Sequence, residues 1–519
     1  VRIGIDVGGT NTDAVMLDGN TVVATVKRAT TADVFSGVVA ALDALQAGAG
    51  AALAPVTAVM IGTTQFVNAL VEADRLAPVA AIRLGLPATA ALPPMVDWPG
   101  RLREAIGGHV YLCHGGHEYD GRELTPLDTG ELREVAARIA ASGVRSVAIT
   151  SVFSPVTSEC EVRAATLLAS ELDGVHVSLS HEIGRIALLP RENATIINAA
   201  LRDLAVTVVD AYRRALDRAG ITAPLFLSQN DGTLMDAEYA RRYPVATFAS
   251  GPTNSMRGAA YLSGLADCAV VDVGGTTTDV GILSGGFPRE SSTGARPGGV
   301  RTNFRIPDVT SLGIGGGSLV SAGPVVGPRS VGYRLTDEAL VFGGSTLTAT
   351  DLAVAGGHAE IGDPSLVAHL DRDLVRDGLA CIADRIAETV DRRRTSSEPL
   401  PVLTVGGGSV LIPGALPGFD DVRRPEHFAV ANAIGAAIAQ VGGEVDRVFQ
   451  VPEGRRKTVL EQARAQAVER AERAGARPGT IGIVDVEEIP LAYLPGGATR
   501  IRVKAVGDLD PRRLEDARA

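Results

Sequence analysis

One arrangement of residues occurs twice in this chain, and its chemistry suits an anion and a cation together. The first copy is IDVGGTNTDAV, residues 5–15; the second is VDVGGTTTDVG, residues 271–281. Each opens on an aspartate, Asp6 or Asp272, at the end of an apolar run. Gly8 and Gly9, or Gly274 and Gly275, follow, and they allow a tight turn with no Cβ in a ligand's way. Thr10, Asn11 and Thr12, or Thr276, Thr277 and Thr278, then offer hydroxyl, amide and backbone N–H donors. A concave run of such donors cradles an anion. The leading carboxylate suits a hydrated divalent cation, because Mg²⁺ keeps several waters and uses few protein carboxylates. Each copy closes on a second aspartate, Asp13 or Asp279. A single G-G-T between strands is ordinarily a hairpin turn and nothing more. Two matched copies predict two cradles that grip one polyphosphate and its metal from both sides.

Other stretches carry weaker signals. Thr63 and Thr64 end an apolar run and lead into a helical pattern. That position suits a ligand, or Thr64 caps the helix. The segment LCHGGHEYDG, 112–121, crowds Cys113, His114, His117 and Asp120. No second ligand pair follows at zinc spacing, so the stretch reads as an Asp-Gly hairpin turn, or as a rim that brings His114 and His117 to a substrate. Gly315 and Gly316 sit in GIGGGSLV, 313–320, a loop that either touches phosphate or simply turns. Asn230-Asp231-Gly232 has turn chemistry, Ser250-Gly251-Pro252 suits a helix start, and His181 and Glu182 read as structural. No Ser-His-Asp or Cys-His arrangement can be assigned.

Strands must hold the two turns. Short β-rich runs over 1–6, 14–17 and 22–27 predict a hairpin plus a third strand, then a helix over 32–45. Buried strands are predicted over 56–61, 79–84 and 146–152, and helices over 157–172 and 193–218. The second half repeats the opening, with strands over 269–273 and 280–283. A helix over 456–474 and strands over 481–489 and 499–505 close the pattern. Alternating strands and helices in both halves indicate an α/β fold. The stretch 92–127 has no clean period and reads as an insertion or rim segment on the first domain.

The bulk properties narrow the functional classes. With 519 residues and 45% hydrophobic content, two or more domains are expected. A net charge of −11 and only 4% aromatic residues disfavour a nucleic-acid partner. Four scattered cysteines fit a reducing cytoplasm rather than a disulfide framework. The uncharged stretch 44–71 contains Pro55 and several glycines, so it reads as helix, loop, strand and loop, not as a membrane span. No signal peptide is visible, and a soluble protein is expected.

The paired D-x-G-G-T-x-T-D turns resemble the phosphate loops of the sugar kinase, actin and Hsp70-type ATPases. That resemblance implies two RNase H-like domains with a nucleotide cleft between them. It also implies a glycine-rich turn that holds adenosine. LTVGGGSVLIPG, 403–414, is the candidate, with Gly406, Gly407, Gly408 and Ser409 against ribose and base, or else a plain turn. A narrower resemblance covers nearly the whole chain. IGIDVGGTNTD, IGTTQFVNAL, RENATIINAAL, SQNDGTLM, FASGPTNSMRGA, DVGGTTTDV, GIGGGSLV and TVGGGS, in this order, look like the ATP-binding, hydantoinase A-like subunit of the hydantoinase/oxoprolinase family. The division it implies is 1–190 for an N-terminal domain and 191–519 for the ATPase domain. SGPTNSMRGA departs from the family's more usual S-G-P-A-G-G-V, and the long forms carry a further carboxy-terminal region beyond the length seen here.

The family resemblance implies ATP-dependent opening of a cyclic amide, such as a hydantoin, 5-oxoproline or another lactam. Asp6 and Asp272 would orient Mg²⁺ or Mn²⁺ through water. Thr10, Thr12, Thr276 and Thr278 would hold phosphates, and Asp13 and Asp279 would fix the hairpins or join the catalytic set by supporting the groups around the metal. A separate partner subunit would supply the hydrolytic half, in a homo- or hetero-oligomer. Three alternatives stay open: a small-molecule kinase of the same fold, an ATP-dependent carboxylase subunit, and a nucleotide-gated activator or assembly ATPase.

Overall fold

The computed structural model describes residues 1–9, 11–30, 33–49, 55–291, 294–321, 323, 325–412, 414–492 and 497–510. β-branched runs flank both glycine turns and pair as antiparallel hairpins. Arg2–Val7 pairs with Asn11–Asp18, and Cys268–Val273 with Thr278–Ser284. The two registers are equivalent: Asp6 faces Asp13 as Asp272 faces Asp279, and Val7 faces Thr12 as Val273 faces Thr278. A parallel strand flanks each leading strand, Ala58–Thr63 in the first unit and Val402–Val405 in the second. Both flanking strands are buried throughout, which is why they read as unbroken apolar runs.

Among the described residues the first hairpin lies in a nine-stranded sheet. Thr21–Ala29 forms one edge, and beyond Ala58–Thr63 come Leu225–Ser228, Thr233–Asp236, Gln440–Gln450, Ala498–Gly507 and Gly482–Pro490. This sheet therefore draws strands from both sides of residue 190. The second hairpin lies in a six-stranded sheet with Phe287–Pro288, Val309–Leu312, Val402–Val405 and Val422–Arg423. A four-stranded parallel sheet orders His109–His114, Val79–Leu86, Ser146–Ser151 and His176–Leu179. The stretch 92–127 thus supplies an edge strand of that sheet. It lacks a clean period because a short helix, Gly100–Ala105, and one strand, His109–His114, are joined in it by turns.

The helix Leu188–Arg218 begins five residues before the expected start, since Pro190 falls in its first turn, where N–H groups have no intrahelical acceptor. From Arg191 to Leu201 it is buried on every side, so the polar letters of RENA must all be paired. Arg191 donates to the Ser151, Arg185 and Ile186 carbonyls. Asn193 accepts from the Trp98 indole at 2.7 Å. Glu192 accepts from Arg83 Nε at 2.7 Å, with both side chains at most 2% exposed. That pair ties the four-stranded sheet to the long helix. Arg83→Met strands a buried carboxylate, so a loss of about 3–5 kcal/mol in urea unfolding is expected. The double change Arg83→Met/Glu192→Met should recover much of it. A single variant as stable as the parent would mean that the pair is not the tie.

No helix of the described residues is long and apolar enough to cross a membrane. The uncharged stretch is instead the end of Val34–Ala49, the strand Ala58–Thr63 and the helix Gln65–Glu72.

Candidate functional site

Two helices join the hairpin units at close range. Ser250–Ser263 and Ala431–Ala437 meet at Gly258 and Gly435. A Cβ at Gly258 would lie 1.9 Å from the Ala431 carbonyl oxygen, and one at Gly435 1.8 Å from that of Asn254. Backbone therefore packs on backbone, and the two helices carry Ser255 and Asn432 to the hairpins.

A cavity of about 200 Å³ opens between the hairpins. Asp6, Gly8, Gly9 and Asn11 line it from the first, and Asp272, Gly274, Gly275, Thr276 and Thr277 from the second. Gly406 and Gly407 close one side, and Asp13, Lys27, Ser255, Ala429, Ala431 and Asn432 complete it. The turns are near copies: the Gly8 amide donates to the Asn11 carbonyl at 3.0 Å, and the Gly274 amide to the Thr277 carbonyl at 2.8 Å. Each leading aspartate lies over a glycine. A Cβ at Gly62 would stand 2.5 Å from Asp6 Oδ1, and one at Gly406, where φ is +82°, 2.2 Å from Asp272 Oδ1.

The charge is unbalanced. Three carboxylates, Asp6, Asp13 and Asp272, share the cavity with one cation, Lys27. Lys27 holds both oxygens of Asp13 at 2.8 Å. Asn432 donates to Asp6 at 2.9 Å and to Asp13 at 3.0 Å, while among the described residues Asp6 Oδ1 is buried without a partner. Burial, then the neighbouring Asp13, pushes the Asp6 carboxyl up to about 7. Burial also raises Asp272, against the hydrogen bond of Ser255 and the charge of Lys27. Such a site favours a divalent cation. Among the described residues no three His, Cys, Asp or Glu side chains stand close enough to hold a metal directly. The arrangement suits a cation held through its own water.

Several expected residues take other places. Thr12 and Thr278 do not line the cavity. The Thr12 hydroxyl lies 3.4 Å from that of Thr30, and Thr278 donates to the Ile314 carbonyl at 2.7 Å. Side chains alternate along a strand, so Asn11 and Asp13 face the cleft while Thr12 faces the core. Asp279 is turned to Ser311 rather than to the cavity. Burial pushes it up to about 6. The strand position opposite the trailing aspartate is Lys27 in one unit and Ser311 in the other, so the near-symmetric site is cationic on one side only. Gly315 and Gly316 lie behind the second hairpin, with the Gly316 amide on the Gly274 carbonyl at 3.0 Å and that of Gly315 on the Ser318 hydroxyl at 2.8 Å. Those amides support the turn and are not open to a ligand. Gly408 packs on the Gly274 carbonyl, and Ser409 is buried. Thr10 lies outside the described residues.

Thr63 is buried and accepts from the Tyr212 hydroxyl at 2.9 Å. Thr64 occupies the helix cap position without a side-chain cap bond. His114 is paired with Glu131, and His117 is buried in a short bridge with Glu123. None of these four lines the cavity. Gly121, with φ of +86°, closes the Glu118–Arg122 turn. Sequence reasoning missed Lys27, Ser255 and Asn432. Lys27 had a signal in its alternation with the third strand, and Ser255 stood inside the FASGPTNSMRGA motif; Asn432 had none.

The hydantoinase/oxoprolinase N-terminal region model matches residues 2–172, and the hydantoinase/oxoprolinase model matches residues 191–393. The caprolactamase subunit alpha of Pseudomonas jessenii is 27% identical over 84% of this chain and 65% of its own length. The acetophenone carboxylase gamma subunit of Aromatoleum aromaticum is 25% identical over 46% of this chain and 34% of its own. The chain thus spans less than two thirds of either relative. The crystal structure of the ATP-dependent caprolactamase from Pseudomonas jessenii aligns over 98% of this chain and 88% of that one, with a TM-score of 0.76 at 20% identity. That likeness shows a shared fold.

Proposed function

The chain belongs to the hydantoinase/oxoprolinase family, and we propose that it binds Mg-ATP between the two hairpins and phosphorylates a cyclic amide for ring opening. The observation that carries this reading is the pair of hairpins in one register, with Asp6 and Asp272 on one cavity and Asp6 Oδ1 unpartnered. Asp6 and Asp272 would hold the water shell of Mg²⁺, or of Mn²⁺ in its place. Bound there, the cation neutralises the phosphates and orients them. The amides of Gly9 and Gly275 would cradle the phosphate oxygens, since those of Gly8 and Gly274 close their own turns, and Lys27 would face their charge. Gly406 and Gly407 leave room for the nucleoside.

A ring amide resists water because its carbonyl is resonance-stabilised. When the carbonyl oxygen attacks the γ-phosphorus, an O–P bond forms and the β,γ-bridging bond breaks, with ADP as the leaving group. Positioning and charge neutralisation dominate such transfers. Water then adds to the ring carbon, the C–N bond opens with a proton going to nitrogen, and inorganic phosphate departs. A separate subunit would activate that water, and the assembly would be an oligomer. The relative called acetophenone carboxylase favours a second reading, in which the same activation serves a carboxylation.

The test is ADP release by the purified chain with Mg²⁺ and a panel of ε-caprolactam, 5-oxoproline and hydantoin. One ring should stimulate hydrolysis, with little ring-opened product until the partner subunit is added, then about one ATP per ring. No stimulation by any ring sinks the reading. A stable phosphoester would identify a kinase, and a product heavier by CO₂ a carboxylase.

A further inference from the structure

A second cavity, of about 320 Å³, lies apart from the hairpins, beside the strand Gln440–Gln450. None of its lining residues lines the phosphate cavity. Its walls carry both charges in unequal states of satisfaction. Asp446 is gripped by Arg500 at 2.6 and 2.7 Å, and Asp231 by Lys504 at 2.8 Å. Among the described residues the Glu444 carboxylate pairs only with Arg305 and Arg502, each at 3.4 Å. Burial and the nearby Asp231, Asp446 and Glu290 push its carboxyl up to about 8. The opposite need stands beside it. Arg305, only 10% exposed, spends its Nη atoms on Glu290 at 2.7 Å and Asp446 at 3.1 Å, but among the described residues its buried Nε has no partner, nor has the buried Nη2 of Arg185. Asn303 donates its amide to the Arg185 carbonyl at 3.2 Å and leaves its own Oδ1 without a partner. Tyr239, Tyr243 and Phe304 give the same cavity an apolar wall.

A buried group left unpaired is costly, and a ligand that pairs it recovers that cost. Here the free donor atoms want an oxygen anion, and the loosely paired Glu444 carboxylate and the free Asn303 amide oxygen want a cationic N–H. We propose that this cavity binds a small amino acid, its carboxylate on Arg185 and Arg305 and its ammonium on Glu444 and Asn303 Oδ1, with its methylenes against the aromatic wall. Water opening a lactam puts hydroxyl on carbon and a proton on nitrogen, which at neutral pH is an amino acid of this class. That identification of the ligand as ring-opening product rests on the functional reading above; the zwitterion chemistry stands on the cavity alone.

Calorimetry with glycine, 4-aminobutyrate, 6-aminohexanoate and glutamate tests it, against hexanoate and hexylamine, which keep one charge each. At least one amino acid should bind, and either single-charge analogue should bind about tenfold more weakly or worse, since each charged hydrogen bond counts. Arg185→Gln and Glu444→Gln should each weaken the amino acid by about tenfold and leave Mg-ATP binding unchanged. The proposal is overturned if no amino acid binds, if hexanoate or hexylamine binds as well as 6-aminohexanoate, or if neither variant, folded by its ATP binding, loses affinity. Amino acid binding without any lactam-stimulated ATP hydrolysis would sink the functional reading alone; the converse would sink this inference alone.

Discussion

Asp6→Asn and Asp272→Asn are each expected to cut Mg-ATP hydrolysis by about 10²–10³, the usual loss when a preorganised electrostatic group is removed. The amide keeps the shape of the carboxylate, and Asn432 can still donate to it, so the loss is one of charge. The folded state should not suffer. The Asp6 carboxyl sits at about 7, far above its ordinary value, so burying it as an anion opposes folding once it ionises. Removing that charge should hold or raise the melting temperature at pH 8. Turnover measured beside thermal unfolding separates the two effects. Hydrolysis unchanged in either variant would reject a shared metal-phosphate site. Hydrolysis lost together with folding would make the aspartates structural instead.

Gly435→Val should do the reverse and abolish the site by abolishing the packing. The new Cβ would stand 1.8 Å from the Asn254 carbonyl oxygen, which is backbone and cannot swing aside. Overpacking costs about 1–3 kcal/mol where side chains can adjust. Here a helix must move, so about 3 kcal/mol or more is expected in urea unfolding, with loss of nucleotide binding as Ser255 and Asn432 leave the cleft. Gly258→Val should behave alike, for its Cβ would meet the Ala431 carbonyl at 1.9 Å. Gly100→Ala is the control, since a Cβ there has nothing within 4 Å. A Gly435→Val protein that folds and binds nucleotide like the parent would show that the helices need not touch.

The sequence by itself determined the local chemistry. The doubled Asp-Gly-Gly turns, the strands on either side and the α/β alternation were all legible, because side-chain period and turn preference act over a few neighbouring residues. Family resemblance reached further only because whole motifs travel in order. Tertiary structure decided the rest. Which face of a hairpin meets the cleft was settled by burial, so Asn11 and Asp13 reached it while Thr12 and Thr278 were turned to the core. The glycine loop 313–320 read either as a phosphate contact or as a plain turn, and packing put its Gly316 and Gly317 amides on the Gly274 and Gly275 carbonyls of the second hairpin. Asn432 had no local signal at all: it reaches Asp6 across 426 residues only because two helices pack through bare backbone. The second cavity was equally unreadable, since Arg185, the segment Asn303-Phe304-Arg305 and Glu444 come from three separate parts of the chain. Contacts between distant segments depend on how elements stack, and no short window of sequence contains that information.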